Sequence, residues 1–161
     1  METVFSNRLG KNLDIAVMSE KEAVWYSQKA KQPYSIISIT SKKKDYYAEL
    51  KESEYLVDLL RLQFNDLDAD TKYIEAPKKE DFVGLKEFID NLKSSILIVH
   101  CGAGVSRSAG VMAAILEYLE VEDYNIFDEK KFIPNKLVYR LVREELGIGK
   151  NQEYYDEVFG E

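Results

Sequence analysis

Residues 96–120, ILIVHCGAGVSRSAGVMAAILEYLE, predict a strand, a glycine-containing loop and a helix in direct succession. The apolar residues 96–99, ahead of His100, are typical of a central parallel strand, which is buried on both faces. Residues 107–120 are apolar nearly all round, which indicates a mostly buried helix. A strand joined by a short loop to a buried helix is the repeating unit of an α/β protein.

The rest of the chain continues this alternation of strands and helices. Further strands are predicted at residues 13–19, 34–40 and 55–64, and further helices at residues 20–30, 78–95 and 134–146. We therefore predict an α/β fold with a central, mainly parallel sheet of four to five strands flanked by helices on both faces. The 161 residues are expected to form one domain, 1–161, in which the polar tail 149–161 either frays or packs back loosely.

Composition and charge exclude several classes of protein. Hydrophobic residues make up 45% of the chain and charged residues 32%, so a sizeable core is expected. The net charge of −7 argues against nucleic acids and anionic membranes as partners, since both attract basic surfaces. A single cysteine allows no internal disulfide, and the sequence offers neither an apolar signal peptide nor a membrane-spanning run. We expect a cytoplasmic, monomeric protein.

The loop between the predicted strand and helix has the composition of an anion-binding site. It lies at the carboxyl end of a strand and at the N-terminus of a helix, where free N–H groups and the helix dipole favour anions. Gly102 and Gly104 permit left-handed backbone, so that successive N–H groups can point inward. Arg107 adds a planar guanidinium suited to phosphate oxygens. Together these residues predict a cradle about the size of a phosphate.

Cys101 is the first residue of this loop. A lone cysteine after an apolar strand is usually a small buried hydrophobe. Here the neighbouring helix N-terminus and Arg107 are expected to lower the pKa of the thiol, because both stabilise the thiolate. A thiolate at the bottom of a phosphate-sized cradle can attack phosphorus in line.

Residues 100–108, HCGAGVSRS, match the pattern His-Cys-x-x-Gly-x-x-Arg-Ser/Thr of the protein tyrosine phosphatase superfamily. The chain resembles a compact phosphatase of the dual-specificity type, of the small bacterial or viral kind. LLRLQFNDLD, residues 59–68, is similar to the strand and acid loop of that family, and PNKLVYRLVREEL, residues 134–146, to its closing helix. The resemblance implies a cysteine-dependent phosphatase whose phosphate-binding loop lies between a central strand and a buried helix.

The resemblance also implies a role for each residue of the signature. Cys101 would be the nucleophile that forms a cysteinyl phosphate, and Arg107 would bind two phosphate oxygens. Ser108 would help the thiolate to leave in the second step, and His100 would brace the loop backbone. Ser108 could instead merely cap the helix, and the two interpretations are compatible. The phosphate-binding N–H groups would be those of Gly102, Ala103, Gly104, Val105, Ser106 and Arg107.

A general acid on a separate loop is implied by the same resemblance. FNDLDAD, residues 64–70, offers Asp66, Asp68 and Asp70. Asp66 is the most similar in placement to the family's acid, and Asp68 is the second choice. Aspartates in such a turn are usually solvated, which must hold for at least one of the three. The acid would later act as the base that activates water. The resemblance implies no metal and no cofactor.

The variable positions of the signature carry no charge, whereas phosphoinositide phosphatases of the superfamily tend to have lysines there. The resemblance therefore implies phosphorylated proteins or peptides as substrates, with phosphotyrosine accepted and, in a shallow pocket, phosphoserine and phosphothreonine. Lys42, Lys43 and Lys44, beside Tyr46 and Tyr47, are one candidate for a rim that recognises substrate. A run of charges is, however, more often a solvated loop.

Three other functions stay open. A rhodanese-like sulfurtransferase also places a cysteine on a cradle-shaped loop in an α/β fold, and transfer of sulfur from thiosulfate to cyanide would distinguish it. A non-enzymatic phospho-binding module usually lacks the nucleophile or the arginine, and this chain has both. An RNA 5′-triphosphatase of the same superfamily is disfavoured by the acidic composition.

Overall fold

The structure is a computed structural model that describes residues 1–42, 46–128 and 130–148. Its strands are β1 (Glu2–Ser6), β2 (Lys11–Ser19), β3 (Tyr34–Thr40), β4 (Leu56–Gln63) and β5 (Ile96–Cys101). Its helices are α1 (Glu20–Lys29), α2 (Leu85–Asp90), α3 (Arg107–Tyr118) and α4 (Lys136–Glu145), with a short 3-10 helix at Lys79–Phe82. The tail expected at residues 149–161 lies outside the described residues.

The five strands form one sheet in the order β1-β2-β5-β3-β4. β1 pairs antiparallel with β2, and the other neighbouring strands are parallel. Every residue of β5 is buried, which explains the apolar composition of this central strand. The predicted α/β fold with a mainly parallel sheet is confirmed. The edge strand β1 was not predicted from the sequence.

Helices cover both faces of the sheet. On one face, Leu97 and Val99 of β5 belong to the large core shared with α2, α3 and α4. On the other face, Ile96 and Ile98 pack in a smaller cluster with Ala23 of α1. Because side chains alternate between the two faces of a strand, a central strand with helices on both sides must be apolar throughout.

The helix predicted at residues 78–95 is divided in two. Gly84 has a φ of 93°, in the left-handed region where glycine is favoured and an α-helix cannot continue. The 3-10 helix therefore ends at Phe82 and α2 begins at Leu85. Phe82, Leu85 and Ile89 are all buried, so the predicted apolar face is right although the helix is not continuous.

The carboxyl edge of the sheet carries the candidate loop. β5 ends there at Cys101, and α3 begins at Arg107. β2, β3 and β4 run parallel to β5, so the segments that follow Ser19, Thr40 and Gln63 start at the same edge. Open α/β sheets bind ligands at this edge. In the part of the chain that the structure describes, no helix has the length and hydrophobicity needed to cross a membrane.

Candidate active site

The Cys101 thiol lies at the base of the loop and is nearly inaccessible, with 2% of the residue exposed. The backbone N–H of Gly104 donates to Sγ at 3.3 Å, and the Ser108 hydroxyl lies 3.1 Å from it. Burial by itself raises the pKa of the thiol. The hydrogen bonds from Ser108 and Gly104 and the charge of Arg107 outweigh burial, so the pKa of Cys101 lies below its usual value. The site therefore favours the thiolate, which is the nucleophilic form.

Arg107 is held by the segments that follow β3 and β4. Its Nη1 donates to the Ser41 hydroxyl at 3.0 Å and to the Phe64 carbonyl at 3.1 Å, just beyond the ends of β3 and β4. Its Nε is buried and makes no hydrogen bond within the described residues. Because an unpaired buried donor is costly, this orientation suits a bound oxyanion that accepts from it. Ser41 and Phe64 are site residues that the sequence analysis did not identify.

Gly104 lets the loop rest on the junction between β2 and α1. Its φ is +72°, and a Cβ added there would lie 2.5 Å from the Ser19 nitrogen and 2.6 Å from the Met18 carbonyl carbon. The Glu20 N–H donates to the Gly102 carbonyl at 3.0 Å, which ties the loop to the start of α1. The fixed glycine of the signature is therefore required for both its dihedral angle and its lack of a side chain.

We predict that Gly104→Ala lowers the free energy of unfolding by about 2–4 kcal/mol and removes most catalytic activity, because the new methyl group clashes with backbone. Gly10→Ala is the matched control, since Gly10 has a φ of +64° but open space around it. The free energy of unfolding of the Gly10→Ala control should fall by only about 1 kcal/mol. Urea unfolding of both variants measures the difference, and equal losses would mean that the close contact at Gly104 does not matter.

His100 is fully buried beneath the loop. Its Nδ1 lies 3.2 Å from the Cys101 carbonyl oxygen, and its Nε2 lies 2.6 Å from the Ser38 hydroxyl. Burial lowers the pKa of His100, and the hydrogen bond to the Cys101 carbonyl and the charge of Glu20 offset this only in part. A neutral imidazole at this position can brace the loop backbone, which is the role that the resemblance implies.

Asp66 lies over the loop and is held by two side chains. Its Oδ1 accepts from the Ser106 hydroxyl at 2.9 Å and from Asn135 Nδ2 at 3.0 Å. Asn135 also caps α4, because its Oδ1 accepts from the Val138 N–H at 3.0 Å. Asn135 was not predicted as a site residue from the sequence, although asparagine before a helix is a known N-cap signal. Its amide thus links the start of α4 to the segment that follows β4.

The other two aspartates of residues 64–70 differ from Asp66 in their contacts. Asp66 and Asp68 are both exposed to solvent, so exposure does not separate them. Asp70 is also exposed, and its Oδ1 accepts from the Ala76 N–H at 2.8 Å, which closes the loop on itself. Asp66 is therefore the one of the three that the structure brings to the cradle.

The proposed lysine rim is only partly described. Lys42 forms ion pairs with Glu75 at 3.3 Å and with Asp81 at 3.1 Å, so two acidic groups already balance its charge. Lys43 and Lys44 lie outside the described residues. Tyr46 and Tyr47 are exposed, and the Arg61 guanidinium stacks on the Tyr47 ring at 4.8 Å.

Several solved structures are similar to this chain. The human tyrosine phosphatase-like serine/threonine/tyrosine-interacting protein is 20% identical over 89% of this chain and 87% of its own, with a TM-score of 0.47. PTPMT1 in complex with PI(5)P is 14% identical over 90% of this chain and 92% of its own, with a TM-score of 0.46. Human DUSP28 is 13% identical over 89% of this chain and 87% of its own, with a TM-score of 0.44. No family model and no curated protein sequence matches the chain.

Proposed function

We propose that this protein is a cysteine-dependent phosphatase that hydrolyses phosphomonoesters through a cysteinyl-phosphate intermediate. One observation carries the proposal: the Cys101 thiol, whose pKa is lowered, lies at the start of the loop, and Arg107, whose buried Nε has no hydrogen-bond partner among the described residues, lies at its end. A phosphate in that loop would accept hydrogen bonds from the backbone N–H groups of residues 102–107 and from the guanidinium. The thiolate would then lie beneath the phosphorus atom.

In the first step the Cys101 sulfur attacks phosphorus, and the bond between phosphorus and the ester oxygen breaks. The leaving oxygen takes a proton from Asp66, which the Ser106 and Asn135 contacts hold over the loop. Arg107 stabilises the negative charge that is shared by the equatorial oxygens in the transition state. The alcohol or phenol departs and the phosphoryl group stays on sulfur.

In the second step a water molecule attacks the phosphorus of the cysteinyl phosphate. The Asp66 carboxylate takes a proton from this water, so the residue that was the acid becomes the base. The bond between sulfur and phosphorus breaks, and inorganic phosphate is released. The Ser108 hydroxyl, 3.1 Å from Sγ, stabilises the departing thiolate by a hydrogen bond.

The mouth of the site favours an uncharged, flat substituent on the phosphate. Ala103 is exposed at the loop, and Ile133 has 69% of its surface exposed. The Ile133 N–H donates to the Val105 carbonyl at 2.9 Å, which fixes this apolar residue at the rim. An aromatic ring would bury this apolar surface, so we propose phosphotyrosine in proteins as the preferred substrate, with phosphoserine and phosphothreonine hydrolysed more slowly.

Hydrolysis assays with EDTA present test this function. We expect the protein to release phosphate from p-nitrophenyl phosphate and from a phosphotyrosyl peptide faster than from phosphoseryl peptides or PI(5)P. A preference for PI(5)P would contradict the protein substrate but not the chemistry. A folded protein that is inert to all four and transfers sulfur from thiosulfate to cyanide would be a sulfurtransferase instead. One that only binds the phosphopeptide would be a binding module.

We predict that Asp66→Asn lowers kcat/KM for phenyl phosphate, which reports the first step alone, by about 10²–10³-fold, because phenolate is a poor leaving group without a proton donor. The loss should be much smaller for p-nitrophenyl phosphate, which has a better leaving group. Asp68→Asn is the matched control in the same loop and should keep wild-type kinetics. Equal effects of the two substitutions, or an Asp66→Asn loss that is independent of the leaving group, would rule out Asp66 as the acid.

A further inference from the structure

Three polar residues lie side by side across the sheet beneath the loop. Strand register pairs Ser38 of β3 with His100 of β5 on one side and with Arg61 of β4 on the other. Residues paired in this way present their side chains to the same face of a sheet. The row Arg61, Ser38, His100 therefore ends at His100, the residue that directly precedes Cys101.

The chemistry of these groups sets the direction of each hydrogen bond in the row. The Cys101 carbonyl can only accept, so His100 Nδ1, at 3.2 Å, must carry the proton. In a neutral imidazole Nε2 is then an acceptor, and the Ser38 hydroxyl must donate to it at 2.6 Å. The Ser38 oxygen is left to accept, and Arg61 Nη1 approaches it at 3.5 Å. Every donor in the row thus points toward the Cys101 carbonyl.

Arg61 is itself fixed in place. Its Nη1 donates to the Ala48 carbonyl at 3.1 Å, and its guanidinium stacks on Tyr47. The far end of the row is therefore a fixed positive charge, and a chain of hydrogen bonds that begins at a cation is polarised along its length. Ser38 and His100 are both fully buried, so water does not compete for these contacts.

We propose that Ser38 and Arg61 are positioning residues that hold His100 in its Nδ1–H tautomer and thereby lock the Cys101–Gly102 peptide in the orientation that stabilises the thiolate. The carbonyl and N–H of a trans peptide point in opposite directions. Holding the Cys101 carbonyl toward His100 therefore directs the Gly102 N–H away from the row. Without Ser38, the ring can move its proton to Nε2 and release the carbonyl.

Other groups also act on the Cys101 thiolate or on His100, and the effect of the row must be separated from theirs. Arg107 and the Ser108 hydroxyl act on the thiolate from α3, and the Gly104 N–H acts on it from within the loop. Glu20 at the start of α1 and Arg61 act on His100 with opposite signs. Asp66 lies above the loop on its own segment. None of these groups is removed by a change at Ser38, so a Ser38 variant isolates the row.

The experiment titrates the thiolate directly. Cys101 is the chain's only cysteine, so the absorbance at 240 nm, with Cys101→Ser as baseline, reports this thiolate alone. We expect Ser38→Ala to move the titration midpoint upward by about one pH unit, and Ser38→Thr, which keeps the hydroxyl, to restore it. At a pH below the midpoint, alkylation of Cys101 by iodoacetamide should slow by about tenfold in Ser38→Ala, because the thiolate fraction falls by that factor. Arg61→Met should move the midpoint in the same direction by less.

The double variant gives the sharpest test. If Arg61 acts through Ser38, Ser38→Ala with Arg61→Met should shift the midpoint no further than Ser38→Ala alone. Additive shifts, or an unchanged midpoint in a folded Ser38→Ala protein, would overturn the proposal. Ser35→Ala is the control, because Ser35 is an equally buried hydroxyl on β3 that contacts Asp58 and Ser94 instead. It should leave the midpoint unchanged.

This inference rests on the proposed function for the role of Cys101, but its measurement needs no substrate. If Ser38→Ala shifts the midpoint but the wild-type protein hydrolyses no phosphate ester, the role of Ser38 would be supported and the phosphatase function refuted. An active phosphatase whose midpoint does not respond to Ser38→Ala would refute the row alone. In the active enzyme, the acid limb of kcat/KM should move upward with the thiolate titration, while kcat at high pH stays near the wild-type value.

Discussion

Cys101→Ser is expected to reduce hydrolysis of p-nitrophenyl phosphate to the uncatalysed background, a loss of about 10⁴-fold or more. A serine hydroxyl is far less acidic than this thiol, and the surroundings that stabilise a thiolate cannot ionise it at neutral pH. The cysteinyl phosphate cannot form, so both steps of the reaction are lost. Steady-state assays with EDTA, together with trapping of phosphoenzyme by acid quench, measure the effect.

The variant should fold, because serine is slightly smaller than cysteine and can still accept from the Gly104 N–H. Its thermal unfolding should therefore stay close to that of the wild type, and it should still bind phosphate or a phosphotyrosyl peptide in the cradle. Substantial residual hydrolysis by Cys101→Ser would show that another group is the nucleophile. Loss of folding would leave activity uninterpretable, so unfolding is measured on the same preparation.

Arg107→Lys is expected to lower kcat/KM for p-nitrophenyl phosphate by about 10²–10³-fold, although the charge is kept. Arg107 uses Nη1 for Ser41 and the Phe64 carbonyl, and among the residues that the structure describes its Nε has no partner, so it can donate to the anion. A lysine ammonium is one point charge, and it cannot reach the phosphate oxygens and the Ser41 and Phe64 oxygens at the same time. Because the contacts strengthen as charge develops, most of the loss should appear in kcat.

Arg140→Lys is the matched control, since Arg140 is exposed on α4. It should keep wild-type kcat and KM. If Arg107→Lys instead raised KM alone, Arg107 would bind the substrate and the transition state equally, and its role in catalysis would be refuted. The kcat/KM of Ser41→Ala should lie between those of Arg107→Lys and Arg140→Lys, because this substitution removes one of the two contacts that orient the Arg107 guanidinium.

The strand–loop–helix unit around Cys101 could be predicted because its parts are close together in the chain. The glycines, Cys101 and Arg107 lie within one turn between a strand and a helix, and the ligands they offer are mostly their own N–H groups. Local geometry brings such groups together whatever the rest of the fold does. The same reasoning predicted the apolar strand β5, since alternation with helices on both faces requires it.

Other features depended on distant residues and could not be predicted in this way. Gly84 divides the helix predicted at residues 78–95, because its left-handed dihedral is set by how the chain packs rather than by spacing. Asp66 was preferred over Asp68 by resemblance alone. The contacts of Asp66 with Ser106 and Asn135 distinguish the two in the structure.

The sequence by itself determined the α/β class and the loop that places Cys101 between β5 and α3, because those depend on neighbours along the chain. Only the tertiary structure decided what supports them. Ser41 lies 66 positions from Arg107, and Asn135 lies 69 positions from Asp66. The parallel sheet brings Ser41 and Asp66 to the edge at which β5 ends, because they follow the parallel strands β3 and β4. Asn135 instead reaches this edge from the start of α4, where its N–H donates to the Ser106 carbonyl at 3.1 Å. Long-range contacts of this kind follow from strand order and register, which a local pattern does not contain.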